Sequence, residues 1–170
     1  MIKVNNRKVK SVIQKYDWDC APSSIKMLMS YYRVPIRNEV RFRNMLNTRK
    51  DGTSVNNVKK YLSKHFELHE GNGIEEAKNF LKKKHMLFVC INDAGLYSHY
   101  VVVTKITYKH VYYLDPKRRP ASEPETFKKR TLNYFMDNWK DYDYWFLVPT
   151  KKLKVKTYKK IKRSYKRKRK

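Results

Sequence analysis

The sequence predicts an α+β domain, with N-terminal helices packed on an antiparallel sheet. Two observations carry this. Up to about residue 84, apolar residues recur at helical spacing, in segments divided by Pro35, Gly52 and the Gly71-Asn72-Gly73 break. From residue 86 the period changes, and compact runs rich in Val, Ile, Tyr and Phe take over. Helices first and strands later is the α+β order. With 170 residues and 41% hydrophobic content, the chain can bury one sizeable core.

Taken in order, residues 1–13 form a basic arm leading to a short strand or extended segment. The apolar series Ile25, Met27, Leu28, Met29, Tyr31, Tyr32 predicts a helix opened by Ala21-Pro22-Ser23-Ser24 and ended by the approach to Pro35. Residues 38–48 carry a weaker helical pattern (Val40, Phe42, Met45, Leu46). Asp51-Gly52-Thr53-Ser54 reads as a turn and helix cap before Val55, Val58, Tyr61 and Leu62. A short helix runs from Ile74 to about Lys84. Residues 86–91 are a central strand. Residues 100–106 and 111–114 form a β-hairpin around the polar Thr107-Tyr108-Lys109-His110. Residues 117–130 read as loop, Leu132 to Trp139 as a helix and residues 144–148 as a last strand. The domain is expected to span residues 1–150.

Charge sets the remainder apart. The chain carries 41 Lys and Arg against 15 Asp and Glu, a formal net charge of +26. From Lys151 to Lys170 there are thirteen basic residues and no acid, with no apolar run able to build a core. That stretch is expected to be a disordered basic tail. Nucleic acid or an anionic membrane surface would suit it. Two cysteines are too few for a disulfide framework, and neither they nor the five histidines show zinc-ligand spacing. No cofactor or metal is expected. No apolar signal core opens the chain and no segment reaches membrane-spanning length, so the expected setting is the bacterial cytoplasm, or a virion if the chain is phage-encoded.

The chemistry centres on Gln14 to Cys20. A cysteine at a helix N-terminus meets unpaired N–H groups and the positive end of the dipole, which favour a thiolate. A histidine must take its proton. His99 opens the first strand of the hairpin and Asp115 closes the second, so an even separation sets them at one open end on one face. A carboxylate there would fix the imidazole's tautomer. Gln14 could supply an amide N–H to a developing oxyanion. Each residue also has a plainer reading: a buried structural cysteine, a strand-end histidine, an ordinary Asp115-Pro116 turn. Cys90 reads as core, and His65, His69, His85 and His110 as solvent-facing. Of Asp17 and Asp19, one reads as a helix cap, with an anion pair as the other option.

These residues resemble the bacteriocin-leader (double-glycine) cysteine peptidases, the papain-like domain of bacteriocin-processing ABC exporters. The match lies in Gln14-x5-Cys20 with Asp19 before the cysteine, Tyr31-Tyr32, Gly52-Thr53-Ser54, His99-Tyr100-Val101-Val102 and Asp115-Pro116. It spans roughly residues 9–149. The resemblance implies a papain-like fold, with Cys20 as nucleophile, His99 as base, Asp115 as orienter and Gln14 at the oxyanion hole. It also implies cleavage after a Gly-Gly pair in a leader or precursor protein. The chain departs from the family in having Ala21-Pro22 where a glycine usually follows the cysteine, in lacking a nucleotide-binding loop and membrane spans, and in its basic tail. A peptidase-fold protein that binds or scaffolds, for example in a phage particle or nucleoprotein, holding nucleic acid on its basic surface, is the alternative. An acyltransferase or deamidase using the same residues is a third option.

Overall fold

A computed structural model describes residues 2–93, 97–117 and 126–153. The chain begins with a two-stranded antiparallel hairpin, β1 (Ile2–Val4) and β2 (Arg7–Val9). Three helices follow, α1 (Cys20–Tyr31), α2 (Glu39–Leu46) and α3 (Val55–Leu62). After them come β3 (Phe66–Asn72), α4 (Ile74–Lys82), β4 (Leu87–Asp93), β5 (Tyr97–Ile106), β6 (His110–Leu114), β7 (Phe127–Thr131), α5 (Leu132–Trp139) and β8 (Trp145–Lys152). The six strands β3 to β8 form one antiparallel sheet in the order β3-β8-β4-β5-β6-β7.

The sheet is covered on both faces, which is why its central strands read as unbroken apolar runs. Phe88, Tyr100, Val102, Leu114 and Leu147 face a core shared with Ile25, Leu28, Phe42, Leu46, Val58 and Leu62 of α1–α3. Their sequence neighbours Val89, Val101, Val103, Tyr113, Phe146 and Val148 face the opposite way, onto Ala77 of α4 and Phe135 and Trp139 of α5. The period of two assigns alternate residues to the two layers. Helix α1 is enclosed on nearly every side, with Ala21, Ile25, Met27, Leu28 and Tyr31 out of contact with solvent.

The α+β order holds, and several bounds move. Two strands escaped the sequence reading, and both are sheet edges. β7 occupies part of the expected 117–130 loop as Phe-Lys-Lys-Arg-Thr. β3 runs into the expected break at 71–73 as Phe-Glu-Leu-His-Glu-Gly-Asn and ends at Asn72, and the break falls at Gly73. Edge strands pair on one side only and carry charge, so they lack an apolar signature. β5 begins at Tyr97, three residues early, and α4 stops at Lys82, followed by a left-handed Lys84 (φ 64°). β8 extends to Lys152, with Lys151 set against Glu67 and ion-paired to it at 3.1 Å, so two residues assigned to the tail belong to the sheet. The rest of the expected tail from residue 154, and Arg118, Arg119, Pro120 and Pro124 of the expected loop, lie outside the described residues. Among the described residues, no helix is long and apolar enough to cross a membrane.

Candidate active site

Cys20 is the first residue of α1, and Asp19 stands at the N-cap. The N–H groups of the first helical residues have no intrahelical acceptor, so the helix presents them beyond its own end. An aspartate at this place ordinarily caps them. Asp19 does not. It makes no side-chain cap hydrogen bond, and its carboxylate, almost fully buried, takes two bonds from Arg43 of α2, Nη2 to Oδ1 at 2.6 Å and Nη1 to Oδ2 at 3.3 Å. The expected cap is thus a buried ion pair, and Asp17 is exposed and apart from it. Further along α1, Ser24 Oγ donates to the Tyr100 carbonyl at 2.8 Å, which fastens the helix to the residue after His99.

His99 and Asp115 meet where the sequence placed them, by a different geometry. A bulge between Val103 and Lys105 shifts the β5–β6 register, so Val102 opposes Leu114 and continuing the pairing sets Asp115 across from Val101. The carboxylate reaches His99 on the diagonal, Asp115 Oδ1 to His99 Nε2 at 2.8 Å, with both side chains buried. The same Oδ1 accepts the Lys117 N–H at 2.9 Å, and the Asp115 N–H donates to the Thr126 carbonyl at 2.7 Å. Cys20 is near enough to the His99 ring to raise its pKa, and Asp115 engages Nε2 and leaves Nδ1 to other partners. Burial opposes charge on this imidazole, but bonds and charge from Asp115 and Cys20 outweigh it and push the His99 pKa up to about 9.

Gln14 is buried and tied to the same end of the sheet, its backbone N–H donating to the Pro116 carbonyl at 2.7 Å. Its side-chain Nε2 donates to the Tyr16 and Asp17 carbonyls, each at 3.1 Å, and Oε1 is buried without a partner. The amide braces the Gln14–Cys20 loop, and its N–H groups are directed at that loop's own carbonyls. Tyr16 and Trp18 of this loop stack with centroids 4.9 Å apart.

Cys90 opposes Tyr100 in the ladder and is buried; burial pushes its thiol up to about 12, so it is no nucleophile at neutral pH. The other histidines are half-buried rather than solvent-facing. His69 pairs with Glu76 at 2.8 Å, His85 Nδ1 lies 3.2 Å from the Pro149 carbonyl, and His65 rests on Tyr61 and is lowered by burial. Among the described residues no cluster could hold a metal ion. A groove of about 470 Å³ along α1, lined by Val12, Lys26, Met29, Arg33 and Ile36, shares no residue with the Cys20 site. Arg43 and Ser24 were not identified as site residues from the sequence, because a helical arginine and a helical serine carry no signal of their partners.

The sequence profile of the Peptidase C39 family matches residues 8–142. No curated protein sequence matches the chain. Among solved structures, the fold is similar to a double glycine motif protease from an AMS/PCAT transporter in complex with the leader peptide. That likeness has 21% identity and a TM-score of 0.64, over 86% of this chain and 97% of that one. It is similar to the peptidase domain of Streptococcus ComA, a bi-functional ABC transporter, at 17% identity and TM-score 0.67, over 84% and 100%. A C39-like peptidase from Bacillus anthracis aligns at 16% identity and TM-score 0.63, over 91% and 99%.

Proposed function

The chain belongs to the peptidase C39 family of cysteine peptidases, and we propose that it cleaves the bond after a Gly-Gly pair in a leader or precursor peptide. The observation that carries the reading is the buried His99–Asp115 pair, 2.8 Å apart, with Cys20 on the ring's other side at the start of α1. The Cys20 thiolate attacks the scissile carbonyl carbon and forms a tetrahedral oxyanion. The Cys20 backbone N–H at the start of α1 stabilises that oxygen, and the Gln14 amide would add to it only on turning an N–H from the Tyr16 or Asp17 carbonyl that now accepts it. Imidazolium His99 then gives its proton to the leaving amine, and a thioester remains on Cys20. Water attacks the thioester as neutral His99 removes one of its protons; collapse expels the Cys20 thiolate and restores the thiolate–imidazolium pair, and the product acid loses its remaining proton to solvent. Asp115 holds the ring in the tautomer that serves both steps.

The double-glycine preference draws support from relatives described as a double glycine motif protease bound to its leader peptide and as the peptidase domain of ComA. The nucleic-acid-binding alternative has no counterpart among the relatives named above. The test is incubation with a synthetic leader peptide carrying an internal Gly-Gly, read by mass spectrometry. Cleavage after the second glycine by wild type, and none by Cys20→Ala, is expected. Equal cleavage by both proteins would overturn the assignment of Cys20.

A further inference from the structure

Among the described residues, four of the five α-helices begin at a residue whose side chain could cap, and three use it. Asn38, Ser54 and Thr131 have extended backbones and accept from the N–H three residues on. Asp19 has the same capacity and a different backbone (φ −90°, ψ 12°), and its carboxylate points to Arg43 instead. A cap bonds the second or third helical N–H. At α1 the third residue is Pro22, which has no N–H, so Ala21 offers the one N–H within a capping carboxylate's reach. A carboxylate on Ala21 would occupy the mouth of the helix beside Cys20. It would also set a negative charge where the oxyanion must form.

We infer that Arg43 is a positioning residue that keeps the Asp19 carboxylate off the N-terminus of α1, so that the helix start stays open to the reacting carbonyl. The pair suits the task. The guanidinium grips both oxygens of a nearly fully buried carboxylate, and Arg43 is on a separate helix, so α2 restrains α1. Arg43 bonds to Asp19 and makes no hydrogen bond to Cys20 or His99, so it acts through Asp19. The inference rests on Cys20 being the nucleophile, as proposed above.

The test compares Arg43→Gln, Asp19→Ala and the double variant on the Gly-Gly leader peptide, with the Ala21 amide followed by NMR in the absence of substrate. In Arg43→Gln, released Asp19 caps α1. The expected results are kcat down about 10²-fold, the loss of one oxyanion donor, a KM held near wild type, and a downfield, exchange-protected Ala21 amide. Removing the capping carboxylate as well should restore kcat, so the double variant outperforms Arg43→Gln and Asp19→Ala retains more activity than either. A double variant no better than Arg43→Gln, or an unchanged Ala21 amide in Arg43→Gln, would overturn the inference and leave Arg43 a structural anchor. Should Arg43→Gln fail to fold, Asp19→Ala decides, since an anchoring role makes it as poor as a broken ion pair. If wild type proves independent of Cys20, the proposed chemistry falls, while the amide measurement still decides what Arg43 does.

Discussion

Asp115 reaches His99 diagonally across the β5–β6 ladder, not from the directly opposed position, and still closes to 2.8 Å. Its Oδ1 is fixed by the Lys117 N–H and its backbone by Thr126, so the carboxylate is set by two neighbours before it meets the ring. A group so placed orients the base.

Replacing Asp115 with Asn keeps the shape and removes the charge. The ring then loses its tautomer preference, and kcat on the leader peptide should fall by about 10²-fold, the lower end of what a positioned acid–base group supplies. KM should change little. Steady-state kinetics of Asp115→Asn and Asp115→Ala check this, and the alanine should be the slower enzyme.

The His99 pKa stands at about 9 against 6.5 for an ordinary imidazole, so folding takes up a proton there. Stabilisation from this group is complete below about pH 6.5, and it is lost as pH rises from there through about 9. Urea midpoints should decline over that window, and the decline should be smaller in Asp115→Asn. The basic limb of the activity profile should lie in the same range, since deprotonated imidazole has no proton to give the leaving amine.

Gln14 is held by carbonyls of its own loop, so its replacement tests two roles at once. As an oxyanion donor, its loss to alanine should lower kcat by about 10²-fold. As a loop brace, its loss should quench the ordered Tyr16–Trp18 stack and raise KM. Kinetics together with tryptophan fluorescence separate the contributions.

The two cysteines should differ sharply. Iodoacetamide at neutral pH should label Cys20 and leave Cys90 untouched, because burial holds the Cys90 thiol at about 12. Labelling of Cys20 should slow in His99→Ala. Cys90→Ala should cost about 1–2 kcal/mol of stability, as small core truncations do, and leave kcat close to wild type. Peptide mapping after alkylation and a denaturation curve are the measurements.

The site was legible in the sequence wherever chemistry and local pattern coincide. Cys20 announced itself through Pro22, Ser23 and the apolar series behind them. His99 and Asp115 did so through two β-rich runs with a polar turn between them. What escaped depends on distant partners. The ion pair of Asp19 comes from Arg43, on another helix. β3 and β7 acquire strand character only by lying against β8 and β6. The bulge at Thr104 shifts the pairing by one residue, so that Asp115 falls opposite Val101 and on the same face as His99, and nothing in the alternation of Tyr100 to Ile106 marks it.

Among the described residues β8 is the last strand, yet it lies inside the sheet, between β3 and β4. While a ribosome is still making the protein, Cys20, His99 and Asp115 all emerge before the strand that joins the two parts of the sheet. A nascent chain that stops short of Trp145 has every reactive group and an unfilled slot between two bare strand edges. Completion of the sheet therefore waits for residues 145–152, and a stalled or truncated product leaves pairing edges open, which favours aggregation.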